Sequence, residues 1–243
     1  MTPAPMPRNP VQAPASLPPG LRVYAIGDIH GCADQLDAIH ARIAEDAAHA
    51  PEPDRVIVYL GDYVDRGPDS RGAIERALAP PIAGRAVHLC GNHEEMMLAV
   101  LDHPGDEAAI ALWLRNGGVA TLTSYGLSGE DPPETWAGRL PPAHIAFLRG
   151  LVRRYQAGGY LFVHAGIRPG VALDAQDAED LVWIREPFLH SEADHGAVVV
   201  HGHTPERAPV IRANRIGLDT GAVYGGKLTA AAFWADRMAL FQA

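Results

Sequence analysis

The chain has 243 residues, 47% hydrophobic and 20% charged, with a net charge of −9 and a pI near 5.7. That length suits one large domain or two small ones with a sizeable core, and the composition is that of ordinary soluble globular proteins. An acidic balance without a Lys/Arg stripe excludes a general nucleic-acid or membrane-surface binder, and no run approaches the roughly 18 apolar residues of a membrane span.

In chain order, residues 1–20 hold seven prolines and one arginine but no apolar run, so they do not read as a signal peptide. They are expected to form a disordered or polyproline-II-like leader ahead of a folded domain over residues 21–243. The two cysteines, Cys32 and Cys90, cannot make a disulfide framework, which points to a reducing compartment and a cytoplasmic protein.

From Leu21 the pattern alternates. Residues 21–26 read as a strand, and residues 33–48 carry Leu36, Ile39, His40, Ile43 and Ala47 at helical spacing. Short apolar runs recur at 55–60 and 85–90, with a helix expected over 70–78 between them. Such an array predicts βαβα units around parallel strands. Helices are expected over 94–101, 106–115 and 141–148. Runs at 159–164, 196–201, 214–219, 227–234 and 237–242 then read as short strands joined by glycine turns. The fold class is therefore α/β, with more β towards the C-terminus.

The places where strands stop share one chemistry. Gly27-Asp28-Ile29-His30 follows the first, Gly61-Asp62-Tyr63-Val64-Asp65-Arg66 the second, and Gly91-Asn92-His93-Glu94 the third. Two later strands end in His164 and in His201-Gly202-His203. Ligands of open α/β sheets bind outside the carboxyl ends of strands, so these groups should converge. Carboxylate, imidazole and amide donors without thiolate suit manganese, iron, cobalt or zinc better than calcium. One ion can take Asp28, His30 and Asp62, and a second Asn92, His164 and His203, with Asp62 bridging. Paired ions acidify a bridging water and clamp an in-line displacement at phosphorus. Arg66 can then hold phosphate oxygens, His93 can protonate the leaving oxygen, and Asp65 can orient His93.

The motifs "GDIHG", "GDYVDRG" and "GNHE", in this order, resemble the signature of the phosphoprotein phosphatase family of binuclear metallophosphoesterases. The later blocks "FVHAG", "HGHTP" and "LDTGAVYGGKLTA" extend that resemblance over most of residues 21–243. It implies a calcineurin-like metallophosphoesterase fold, a central mixed β-sandwich flanked by helices. It also implies two metal ions at Asp28, His30, Asp62, Asn92, His164 and His203, with manganese suggested by bacterial relatives. The same resemblance assigns His93 as proton donor, Asp65 as its support and Arg66 as phosphate arginine, and offers Arg185 as a second one. Asn116 and Arg115, in the "WLRNGG" block, are placed beside the substrate by the same likeness. The implied reaction is direct attack on phosphorus by a metal-bridging hydroxide.

The family spans phosphatases of bacteria and phage and symmetrical diadenosine tetraphosphate hydrolases. The chain length and "GHT" followed by "PE" favour the small phosphatases, acting on phosphoserine, phosphothreonine or phosphotyrosine in proteins, or on small phosphoesters. Phosphoanhydride cleavage is the rival reading, and a non-catalytic phospho-binding module the third. The module is disfavoured because His93, Asp65 and Arg66 are all present.

The remaining polar residues have plainer readings. His203 is preferred over His201 as ligand because "GHT" is the family pattern; His201 departs from it and is expected behind the ligands. Cys32 and Cys90 are expected to be packing residues. Glu94 and Glu95 are expected to favour the start of the following helix, and Asn116-Gly-Gly to stop one.

Overall fold

A computed structural model describes residues 10–243. Its strands, in chain order, are β1 (Val11–Gln12), β2 (Leu21–Ile26), β3 (Asp54–Tyr59), β4 (Arg85–His88), β5 (Arg154–Ala157), β6 (Tyr160–Val163), β7 (Val198–His201), β8 (Val210–Ile211), β9 (Arg215–Gly217), β10 (Thr229–Trp234) and β11 (Arg237–Gln242). The helices include α1 (Ala33–His49), α2 (Ser70–Ala77), α3 (Asn92–Asp102), α4 (Glu107–Trp113), α5 (Val119–Ser124), α6 (Pro133–Trp136), α7 (Pro142–Arg149) and α8 (Asp180–Trp183). None of the described helices is long and apolar enough to cross a membrane.

The strands form two sheets, β1-β11-β10-β2-β3-β4 and β5-β6-β7-β9-β8. β2, β3 and β4 run parallel, as do β6, β7 and β9, and the outer strands join antiparallel. Alternation along each strand decides which residues meet. Val23 and Ala25 of β2 and Val56 and Val58 of β3 face Tyr160 and Phe162 of β6 and Val198 and Val200 of β7, forming the core between the sheets. The intervening residues Tyr24, Ile26, Ile57 and Tyr59 point the other way, onto Leu36, Ile39 and Ile43 of α1 and Ile74 of α2. The expected sandwich with flanking helices is therefore observed, and the apolar stripe read in residues 33–48 is the buried face of α1.

One expectation needs correcting. Residues 1–9 of the anticipated leader lie outside the described residues, but residues 10–20 belong to the fold. Val11 and Gln12 pair with Met238 and Arg237, Ala13 and Leu17 are buried, and Tyr160 Oη donates to the Ala15 carbonyl at 2.7 Å. Proline tolerates this edge because an outermost strand leaves N–H positions that need no partner.

Candidate active site

The carboxyl ends of β2, β3, β4, β6 and β7 do converge, and the backbone there is unusual. Among the described residues six non-glycines have positive φ; five are His30, Asp62, Asp65, Arg66 and His203. Such conformations cost about 1–3 kcal/mol each and persist where surrounding structure enforces them. Glu94 is the enforcer at the second turn. Its carboxylate accepts from the backbone N–H groups of Asp62 (2.9 Å), Tyr63 (2.7 Å), Val64 (3.2 Å) and Gly91 (2.9 Å). The residue expected only to favour a helix start thus ties the Asp62–Asp65 turn to the start of α3. Burial and the charge of Asp62 push its carboxyl up to about 8, against four amide donors that favour the anion.

The donor atoms expected to hold metal face each other. Asp62, His164 and His203 bring one donor atom each within 4.8 Å of one another, and so do His30, Asp62 and His93, with Asp62 common to both groups. His164 donates Nδ1–H to the Leu60 carbonyl at 2.8 Å, and burial lowers its pKa. Its Nε2 lone pair then points at Asn92 Oδ1 (3.1 Å) and Asp62 Oδ1 (3.4 Å), both acceptors. His30 repeats the arrangement, with Nδ1 on the Val64 carbonyl (2.8 Å) and Nε2 facing Asp62 Oδ2 at 3.4 Å. His203 Nδ1 lies 2.9 Å from Asn92 Oδ1. Asp28 accepts the His203 N–H on Oδ2 (2.9 Å), while buried Oδ1 has no partner among the described residues. Converging lone pairs in a dry pocket call for cations. The residues present fit a divalent pair of nitrogen- and oxygen-loving ions.

Charge tells the same story. Burial works to raise the Asp62 carboxyl, but His164, His93, His30 and His203 around it outweigh that and hold it low. Asp28 is raised by burial and by two carboxylates, Asp219 and Asp62. Asp219 was missed in the sequence, although it follows a sixth strand end, that of β9, in "GLDTG". Burial first, then Asp62, raises it to about 6.

His93 stands apart from the other imidazoles. It is close enough to His30 and Asp62 to join a donor cluster, with its ring edge-on to His30 at 4.6 Å. Its Nδ1, however, is bonded to Asp65 Oδ2 at 2.7 Å rather than to a backbone carbonyl, and its buried Nε2 has no partner among the described residues. Burial lowers its pKa, but the charges of Asp62 and Asp65 more than reverse this. A protonated ring with a free N–H is a proton donor, so the pairing fits the role expected from "GNHE".

The remaining predicted residues are placed as follows. Arg66 lies with Nη1 2.6 Å from His30 Nε2 and its guanidinium 5.7 Å from the ring centre of Tyr224. Arg185 is exposed beyond α8, near enough for its charge to bear on His203 and Asp219. The Asn116 amide donates to Leu112 of its own turn (2.9 Å), while exposed Arg115 precedes it. His201 points away from the cluster, between Arg215 (3.2 Å) and the Phe188 ring (5.1 Å). Cys32 and Cys90 both have thiols pushed up by burial, in keeping with packing.

A two-sheet sandwich carrying Asp, His and Asn at its strand ends defines a metallophosphoesterase. The chain belongs to the calcineurin-like phosphoesterase family, whose model matches residues 21–232. It is 34% identical over 219 residues to serine/threonine-protein phosphatase 1 of Salmonella typhimurium, covering 86% of this chain and 90% of that one. It is 29% identical to a symmetrical bis(5'-nucleosyl)-tetraphosphatase of Ralstonia nicotianae, covering 89% of each. A solved structure provisionally described as a diadenosine tetraphosphatase superposes with a TM-score of 0.64 at 23% identity, covering 94% of this chain and 98% of that one.

Proposed function

We propose that the protein is a metal-dependent phosphatase that hydrolyses phosphomonoesters in proteins, with phosphoserine and phosphothreonine as first targets and phosphotyrosine as a further one. The ion pair is proposed to be manganese, held by Asp28, His30, Asp62, Asn92, His164 and His203. When bound, two such ions supply an acidified water and neutralise charge on phosphorus. The chain's own groups do the rest. Arg66, released from His30, can hold two phosphate oxygens as a fork, with Arg185 as the nearest further cation. His93 holds a proton at Nε2 for the leaving oxygen, and Asp65 keeps that proton on the ring.

The single observation that carries this reading is the buried His93–Asp65 pair. An alkoxide leaving from a phosphoserine or phosphothreonine needs a proton, whereas a phosphate leaving from an anhydride is already a good leaving group. The 34%-identical relative named as a serine/threonine phosphatase supports the same substrate. A second reading, symmetrical cleavage of a dinucleoside tetraphosphate, is favoured by Tyr224. It is 63% exposed beside Arg66 and offers an aromatic face to a base.

The test offers Mn²⁺-repleted protein a phosphothreonine peptide and diadenosine tetraphosphate in parallel. Phosphate from the peptide is the expected result; nucleoside diphosphate from the dinucleotide alone would transfer the protein to the second reading. His93→Asn is expected to lower turnover about 100- to 10,000-fold. The variant's metal content, read by elemental analysis, should match wild type.

A further inference from the structure

Asp65 is held by more than His93. Its buried carboxylate also accepts the indole N–H of Trp113 (3.0 Å to Oδ2, 3.1 Å to Oδ1) and the hydroxyl of Thr121 (2.6 Å to Oδ1). Its own N–H donates to Ser70 Oγ (3.0 Å) and Thr121 Oγ1 (2.8 Å), which lie 3.0 Å apart. Trp113 and Thr121 come from α4 and α5, the helical segment that flanks Arg66, and neither belongs to a metal-ligand motif.

We propose that Trp113 and Thr121 are positioning residues for the proton donor. The inference rests on the reading of His93 as that donor. An Asp carboxylate turns easily about its last torsion, and one bond to His93 does not fix it. Indole nitrogen is a donor only, so Trp113 can bond nothing at Asp65 but the carboxylate lone pairs. Thr121 holds the other edge while anchoring the Asp65 backbone. With both oxygens pinned, Oδ2 stays 2.7 Å from His93 Nδ1 and the ring keeps Nε2 aimed away from Asp65. As the ester P–O bond breaks, its electron pair stays on the leaving oxygen, which takes the Nε2 proton and leaves the imidazole neutral. Trp113 is a rigid mount for this: it is fully buried, with Trp136 at 5.8 Å and Gly118 against its ring.

A core tryptophan that merely packs would affect all substrates alike. The experiment therefore compares an alkyl phosphate, which needs the proton, with an aryl phosphate whose phenolate leaves without it. Thr121→Val and Trp113→Phe are expected to lower kcat for the alkyl ester about 10- to 100-fold, a part of what general acids supply. The aryl ester should be nearly unaffected, KM should hold, and Thr121→Ser should restore wild-type behaviour. The second readout needs no turnover. In protein labelled with ¹⁵N-histidine, the Nδ1–H resonance assigned by its loss in His93→Asn should shift or broaden in Thr121→Val and return in Thr121→Ser. An equal fall for both esters, or an unmoved resonance, would overturn the inference. Wild type that hydrolyses neither ester would instead overturn the proposed function, and the resonance alone would then decide for or against the positioning role. Should Trp113→Phe fail to fold, the Thr121 pair carries the test.

Discussion

Glu94 shows how much one carboxylate can organise without joining the cluster of converging donors. Its four amide bonds fix the turn that carries Asp62 and Asp65, so Glu94→Gln puts an NH₂ group against N–H donors. The expected loss is about 2 kcal/mol of stability by urea unfolding, with weaker metal retention. Sequence alone could place Glu94 at the start of a helix; it could not show that the adjacent turn lay within reach. His40 offers a pH test away from the ligands. Burial depresses it from 6.5 to about 4, and Tyr59 Oη sits 2.9 Å from its Nε2. The unfolded chain takes up a proton below pH 6.5 that the folded chain refuses until about pH 4. Stability is therefore expected to fall as pH drops through that window, and His40→Gln should flatten the fall in a pH series of melting curves.

At the level of elements, the segment from α4 to α5 matches its expected helix and stop, but not for reasons its sequence could show. Asn116-Gly117-Gly118 does interrupt the helix: Gly117 is non-helical and sets a kink between α4 and α5 over residues 114–118. Gly117 has φ +107°, and a Cβ there would lie 2.7 Å from the Arg66 nitrogen; a Cβ on Gly118 would lie 2.6 Å from Trp113 Cδ2. Gly117 is therefore demanded by Arg66, far away in sequence, and Gly118 by the ring of nearby Trp113; periodicity reveals neither need. Gly118→Ala should push the indole off Asp65 and destabilise by about 1–3 kcal/mol, measured by denaturant unfolding. β1 was hidden for a similar reason. Prolines signalled a leader, while the partners that order it, Arg237 and Met238, lie at the other end of the chain. Leu17→Ala is expected to cost about 2–5 kcal/mol by thermal unfolding, since that side chain is buried with the inter-sheet core. By contrast, β2, α1 and β3 were legible at once, because helical spacing and short apolar runs report local burial directly.

For the molecule as a whole, the strand-end rule carried most of the reading. It placed Asp28, His30, Asp62, Asn92, His164 and His203 at one locus because parallel strands must end together. It could not say which imidazole would take the inner position, and it overlooked Asp219. Occupancy should show in global stability. Mn²⁺ at a hundred times its Kd is expected to add about 2.7 kcal/mol to the unfolding free energy of stripped protein, read from paired urea curves. The two sheets contribute different parts of the locus: β2, β3 and β4 deliver four of those residues, and β6 and β7 deliver His164 and His203. The Asp28–His203 bond spans 175 positions, so it closes only after nearly the entire chain has been synthesised and both layers have docked. Contacts of that separation form late, because loop closure precedes any reward. A nascent or half-assembled chain thus presents scattered, weak donors, and tight capture of metal becomes a step that follows folding and certifies that it is complete.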